Sequence, residues 1–297
     1  MASRSLLHTV AKLHYVEDLS QVDVAKRLAL STATVSRLLQ RARAEGIVRI
    51  EVRDLPAPDE LAERVATTLT LKNVAVIEAT GAGALASLAA PVGDMLRSAE
   101  LGNGSVLAIG WGRAVRAVIE AGLPVAPGAI TVSATGGMQQ HQPHFQVNEF
   151  VRLAAVQLGG TPCFVYAPYL PAAAARKAFL SDPAIADSIA LWDRVDVALV
   201  GVGLPGALAT SDVPRHPQAV GDVMRHYFDA EGTLLDRETE NRMISMSVDQ
   251  LRRTPLVIGV AVGEAKAVAI RAAAKAKLIS ALVTDIRTAE KLLETSE

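Results

Sequence analysis

Apolar residues recur at helical spacing through the first fifty positions and then give way to short, continuous apolar runs. Leu6, Leu7, Val10 and Leu13 fall on one face of a first helix ending near Tyr15. Ser20 opens a second helix: its hydroxyl can cap free amides, and Asp23, three residues on, completes a capping-box-like pair. This helix is expected to bury Val22, Ala25 and Leu28. A break at Ala29-Leu30 leads to a second cap, Ser31-Thr32, and to a third helix whose inward face is Val35, Leu38, Leu39 and Ala42. Gly46 suits a left-handed cap that ends this helix. Ile47, Ile50 and Val52 surround charged Arg49 and Glu51, the pattern of a short strand or wing.

The pattern changes after Leu55-Pro56-Ala57-Pro58, where the second proline disfavours helix at the residue before it. Strands are expected at Val74–Glu78, Ser105–Ile109, Ile130–Ser133, Pro162–Tyr166, Val195–Val200, Leu256–Val260 and Ala281–Val283. Helices are expected at Ala84–Glu100, Gln146–Leu158 and Ala265–Lys277. Buried strands separated by helices indicate βαβ units with helices on both faces of the sheet. The predicted fold class is therefore α/β, in two parts. A small all-α (winged) helix-turn-helix domain occupies residues 1–53, residues 54–58 form a linker, and a larger doubly wound, mainly parallel domain occupies 59–297. Ligands in such sheets sit at the carboxyl ends of the strands.

Charge sharpens this division. The 297 residues carry 30 Lys or Arg and 31 Asp or Glu, a formal charge of −1. Residues 1–53 hold nine basic and five acidic side chains, an excess of +4, which leaves −5 on the remaining 244. A basic head on an acidic body is a hint of polyanion binding by the head. Short hydroxyl side chains at Thr32, Thr34 and Ser36 could approach base edges and phosphates. Arg37 and Arg41, one turn apart, could reach phosphates or guanine. A plain three-helix bundle with a solvated basic face is the alternative. The lone Cys163, in an apolar run, forms no internal disulfide and reads as core, which fits a reducing compartment. No basic-then-apolar leader opens the sequence, and the uncharged run Val197–Thr210 is too short and too broken by glycine and proline to span a bilayer. A cytoplasmic protein without membrane association is expected.

Three glycine-bearing loops follow predicted strands. Gly81-Ala82-Gly83-Ala84-Leu85-Ala86 mimics a dinucleotide fingerprint, but the next strand ends at Gly110-Trp111 with no acidic residue to hold a ribose. Gly201-Val202-Gly203-Leu204-Pro205-Gly206 is followed by prolines rather than an immediate long helix. Gly110-Trp111-Gly112-Arg113 lies between a strand and a helical segment. Its backbone amides, the helix N-terminus and Arg113 together suit an anion such as phosphate, the alternative being a tight turn with an exposed arginine. His141, His144 and Glu149 invite a metal reading. Pro143 breaks the helix that would align the two imidazoles, so a polar effector-contacting loop is preferred, and neither metal nor cofactor is expected.

The words of the sequence add a resemblance. LSQVDVAKRLALSTATVSRLLQRARAEGIVRIEV is similar to the N-terminal helix-turn-helix of the SorC family of bacterial sugar-responsive transcription regulators. The body resembles that family's effector domain at GWGR, Gly136-Gly137, Asn148, Gly201-Val202-Gly203, Gly221-Asp222, Phe228-Asp229 and Lys266. The resemblance implies a fold related to glucosamine-6-phosphate deaminase and ribose-5-phosphate isomerase. It also implies a regulator of a carbohydrate or polyol operon, an effector that is a phosphorylated sugar or related metabolite, and dimers assembling into tetramers on double-stranded operator DNA. Carried over, Gln21, Ser31, Thr32, Thr34, Ser36, Arg37 and Arg41 would meet DNA. Gly112, Arg113, Gly136, Gly137, Asn148, Gly201, Gly203, Gly221, Asp222 and Lys266 would form the effector site, Asp222 accepting from sugar hydroxyls and Lys266 meeting the phosphate. Ala114 stands where the family usually has a hydroxyl residue, and Val262-Gly263 where it has Gly-Gly. A sugar-phosphate isomerase or deaminase with an added basic head, using Asp222 as general base, is the rival reading.

Overall fold

The computed structural model describes residues 3–49, 59–78, 83–138, 146–205, 216–235 and 241–294. Contacts divide the chain into two compact units, residues 1–53 and 54–297.

In the first unit, helices α1 (Arg4–Tyr15), α2 (Gln21–Leu28) and α3 (Thr32–Ala44) enclose a small apolar core. Each begins at a serine: Ser3, Ser20 and Ser31 accept the amides of Leu6, Asp23 and Thr34, satisfying donors that a helix start leaves open. Leu7, Val10, Leu13, Val35, Leu38, Leu39 and Ala42 are buried as their spacing requires. In α2 the inward residues are Val24 and Ala25, with Leu28 only partly buried, and Val22 is 49% exposed. The expectation for Val22 is therefore corrected: α2 turns its second residue outward, and Val24 takes the inner position. The α2–α3 turn places Ala29 in the left-handed region, φ 51°, with the Leu30 amide donating to the Ala25 carbonyl. Gly46, φ 71°, ends α3 in a paired cap, the Ile47 amide reaching Ala42 and the Gly46 amide reaching Arg43. The wing at Ile50–Val52 and the linker at 54–58 lie outside the described residues.

In the second unit, α4 (Asp59–Leu69) leads into a sheet. Its strands among the described residues are β1 (Asn73–Ile77), β2 (Val106–Ile109), β3 (Ile130–Ser133), β4 (Thr161–Cys163), β5 (Val197–Gly203), β6 (Gly221–Val223), β7 (His226–Phe228), β8 (Leu256–Val260) and β9 (Ala281–Asp285). The order β1-β9-β8-β5-β2-β3-β4 is parallel throughout, and an antiparallel β6–β7 hairpin pairs with the end of β5. Alternate strand residues face opposite sides, as the pleat dictates. Val106 and Ala108 join a core with α4, α10 (Val248–Arg253), α11 (Ala267–Lys275) and α12 (Ile286–Glu294). Leu107 and Ile109 join one with α5 (Ala89–Ser98), α6 (Arg113–Ala121) and α7 (Val147–Leu158). The sheet is thus covered on both faces, the doubly wound arrangement that the uninterrupted apolar strands predict. Helices α8 (Ala173–Ser181) and α9 (Pro183–Ala190) precede β5.

Several boundaries move. The segment expected as one helix over Ala84–Glu100 has a 3-10 turn at Ala86–Leu88 before α5, whose first turn contains Pro91, a residue with no amide to donate. Likewise Glu264–Lys266 form a 3-10 turn before α11. The strand expected at Pro162–Tyr166 spans only Thr161–Cys163, and β5 runs to Gly203 rather than Val200. Cys163 is partly buried against the core, its thiol near the Ser188 hydroxyl at 3.3 Å. Among the described residues no helix is long and apolar enough to cross a membrane.

Candidate functional site

The chain leaves β2 in one direction along the sheet, toward β3 and β4, and returns beside β2 through β5 before moving to β8 and β9. The strand order therefore reverses between β2 and β5, and the carboxyl ends of those strands open a crevice there. A cavity of about 550 Å³ occupies this place, a size that suits a small metabolite.

The wall after β2 is Trp111, Gly112, Arg113 and Ala114. Gly110 allows a close approach to β5, where a Cβ would lie 3.1 Å from the Leu199 carbonyl and press on the backbone. Gly112 has φ 153°, and no side chain caps the α6 N-terminus that follows it. The partial positive charge of that helix start and the exposed Arg113 therefore face the same opening. Ala114 packs into the core beneath.

The wall after β5 is Gly201, Val202, Gly203 and Leu204. Asp222 of β6 pairs in register with Gly203, and a Cβ at Gly203 would collide with the Asp222 carboxylate. Glycine is what lets that carboxylate sit against the strand. Burial pushes the Asp222 carboxyl up from the ordinary aspartate value, against the opposing pull of Arg225, His226 and Lys266. The ammonium of Lys266 donates to the Val202 carbonyl at 2.8 Å. Burial, together with the charge of Arg113, lowers the Lys266 pKa, while Asp222 opposes that shift. The site thus holds a carboxylate reluctant to ionise and an ammonium held beside a second cation. An anion entering it would favour the protonated lysine.

Six of the expected effector residues line this cavity: Gly112, Arg113, Gly201, Gly203, Asp222 and Lys266. Gly136, Gly137, Asn148 and Gly221 are not among its lining residues. Gly136 lies where a Cβ would strike the Ala167 carbonyl at 2.7 Å, and the Gly137 amide donates to that same carbonyl. The Asn148 amide group donates to the Val165 carbonyl at 3.3 Å, and its buried Oδ1 has no partner among the described residues. Gly221 lets β6 approach α11, where a Cβ would meet Ala269 at 2.6 Å. Close backbone approach accounts for Gly136 and Gly221, whereas a Cβ at Gly137 would have its nearest neighbour at 3.9 Å. Arg225, Met224, Met138, Thr135 and Leu85 also line the cavity, although sequence reasoning did not select them. Nothing in the local pattern marks the two-residue turn that brings in Met224 and Arg225.

Residues 139–145, with His141 and His144, lie outside the described residues, as do Gly81, Ala82 and Gly206. Glu149 is bound by both its oxygens to Arg152, at 2.7 and 2.8 Å, which holds its carboxyl below the usual range. Among the described residues no cluster of His, Cys, Asp or Glu is arranged to hold a metal ion.

In the first unit, α3 exposes Thr32, Arg37 and Arg41, with Thr34 and Ser36 half-buried; Ser31, before it, and Gln21 at the start of α2 are exposed and half-buried. Ser31 is engaged as the cap and shares a 2.7 Å hydrogen bond with the Thr34 hydroxyl. Arg37 donates to the Ala33 carbonyl at 3.3 Å, and Arg41 is paired with Glu45 at 2.6 Å. Both contacts are solvent-exposed, and an exposed ion pair such as Arg41–Glu45 is worth about 0–1 kcal/mol.

Comparison with known proteins fits both units. Residues 54–294 match the family described as "Putative sugar-binding domain", and residues 12–45 match sigma-70 region 4. The sorbitol operon regulator of Klebsiella pneumoniae is 30% identical, over 97% of this chain and 98% of its own. The transcriptional regulator LsrR of an Enterobacter strain is 27% identical, over 99% of this chain and 94% of its own. The crystal structure of the full-length sorbitol operon regulator superposes with a TM-score of 0.70 and 28% identity, covering 97% of this chain and 98% of that one. A helix-turn-helix followed by a doubly wound sugar-binding domain, shared end to end with these regulators, places this chain in the SorC family of DNA-binding, sugar-binding transcriptional regulators.

Proposed function

We propose that this regulator controls a carbohydrate or polyol catabolic operon and that its effector is a phosphorylated sugar or polyol held in the β2–β5 cavity. The observation that carries the reading is the convergence of Arg113, Lys266 and the uncapped start of α6 on one cavity that also holds Asp222. The cations and helix amides suit a phosphate, and Asp222 suits sugar hydroxyls. Gly136, Gly137, Asn148 and Gly221 serve by shaping the walls. Residues 1–53 form the DNA-binding domain and 54–58 the linker. Within the first unit, α3 enters the major groove with Thr32, Thr34, Ser36, Arg37 and Arg41, flanked by Ser31 and Gln21 near the backbone. Reading two half-sites calls for a symmetric oligomer, a dimer or tetramer in the cytoplasm, assembled through residues 59–297.

A thermal-unfolding panel of sugar phosphates, free sugars and polyols tests this. A phosphorylated compound at 100 times its dissociation constant raises stability by about 2.7 kcal/mol. Arg113→Ala and Lys266→Ala remove that gain. Stabilisation by a free sugar or polyol equal to that by its phosphate contradicts the reading.

A further inference from the structure

The β6–β7 hairpin turns on two residues, Met224 and Arg225, and both lie in the left-handed region, φ 51° and 69°. A two-residue turn of this kind is made most cheaply by Asn-Gly or Gly-Gly, since glycine meets no steric penalty at positive φ. Two residues with full side chains keep that conformation here, and both side chains line the cavity. Strain held at a cavity wall is a sign that the side chains are needed there.

The Arg225 side chain is mostly buried and does not meet a full negative charge through its hydrogen bonds. Its guanidinium donates to the Tyr227 hydroxyl at 3.1 Å and lies 3.8 Å from the Met138 sulfur, while its backbone amide donates to the Asp222 carboxylate at 3.0 Å. Lys266 is influenced by the charges of Arg113 and Asp222, whereas Arg225 has Asp222 and the neutral phenols of Tyr227 and Tyr169 near it. The Asp222 carboxylate sits against Gly203, next in sequence to the Val202 carbonyl that takes Lys266, and accepts the Arg225 amide, so it adjoins two positive centres. One is the pair Arg113 and Lys266 at the α6 end, and the other is Arg225 on the hairpin. Among the described residues that line the cavity, Arg113, Lys266 and Arg225 are the cations and Asp222 the carboxylate; Thr135 adds a hydroxyl, and the others are apolar or glycine. A ligand with a single phosphate at the α6 end leaves the Arg225 guanidinium with only the neutral Tyr227 hydroxyl and the Met138 sulfur as hydrogen-bond partners.

We infer that Arg225 is a specificity-determining residue that binds a second anionic group, so that the effector carries two separated anions, as a sugar bisphosphate or a phosphorylated sugar acid does. This rests on the reading that the β2–β5 cavity holds the effector. The arginine fork holds a carboxylate or a phosphate equally well in bidentate fashion.

The test is titration calorimetry on the full chain with four probes: fructose 1,6-bisphosphate, 6-phosphogluconate, fructose 6-phosphate and glucitol 6-phosphate. In the unmodified protein one of the first two binds at least about tenfold more tightly than either singly phosphorylated probe, the increment of one charge-assisted contact. Which of the two wins tells a second phosphate from a carboxylate. Arg225→Gly, which relieves the turn, lets that ratio fall toward one, and Arg225→Lys retains part of it. A purely structural arginine would weaken all four probes alike and leave the ratio unchanged. An unchanged ratio in Arg225→Gly, equal binding of all four probes by the unmodified protein, or binding of neither doubly anionic probe would overturn the inference. Arg113→Ala and Lys266→Ala separate this from the cavity reading: if they leave every probe's binding intact, it is the cavity reading that has failed.

Discussion

Asp222 concentrates the chemistry of the body in one side chain. Its carboxylate is pressed against Gly203, accepts the Arg225 amide, and resists ionisation because burial outweighs the opposing pull of Arg225, His226 and Lys266. A folded-state pKa above the unfolded one means that the folded chain binds the extra proton in the interval between them. Stability therefore falls as pH rises through that interval, from the ordinary aspartate value up to the raised one. In Asp222→Asn this slope disappears from the pH dependence of urea unfolding, while effector affinity drops through the lost anionic acceptor. A variant that keeps the slope would show that another group titrates there. At this scale the sequence was informative where a glycine or charge follows a strand. Arg113 and Gly203 were legible in glycine-bearing loops after predicted strands, whereas Asp222 and Lys266 entered through the family resemblance alone. Arg225 was not legible, because its place depends on a two-residue turn in which neither residue is a usual turn former.

At the scale of elements, local rules account for the helices of the head and tertiary packing for the departures. The three serine caps and the left-handed Gly46 follow the sequence signals directly. Val22 does not, since its spacing fits an inward face as well as Val24 does, and only packing against α1 and α3 separates them. Ala29 sits at φ 51° in the turn between α2 and α3, where a β-carbon costs about 1 kcal/mol. Ala29→Gly is expected to slow amide hydrogen exchange in the first unit by up to about fivefold, the equivalent of that energy, with exchange in residues 59–294 unaltered. Faster exchange in α2 and α3 would mean that the alanine contributes contacts worth more than the strain. In the body, the central strands such as β2 and β8 were readable because they are buried on both faces and so apolar throughout. The short β6 and β7 carry too few residues for any period to show. The breaks before α5 and α11 depend on Pro91 and on the backbone at Gly263, φ 114°, rather than on hydrophobic spacing.

For the whole molecule, the net charge of −1 conceals two tasks. The +4 of residues 1–53 supplies attraction to phosphates, and the −5 of the remainder discourages DNA from lying along the sugar-binding domain. The two tasks are useful only if they are coupled, and coupling is reciprocal: a sugar phosphate that changes DNA affinity by some factor must have its own affinity changed by DNA in the same proportion. The most direct measurement is fluorescence anisotropy of a DNA duplex enriched by this chain from a randomised library, titrated with protein in the presence and absence of the saturating sugar phosphate found by thermal shift. The account predicts a change in DNA dissociation constant of about 5- to 150-fold for the unmodified chain. It predicts unaltered ligand-free DNA affinity and no response in Lys266→Ala. An unmodified chain whose DNA affinity ignores the bound sugar phosphate, or a Lys266→Ala chain that responds in full, would contradict it.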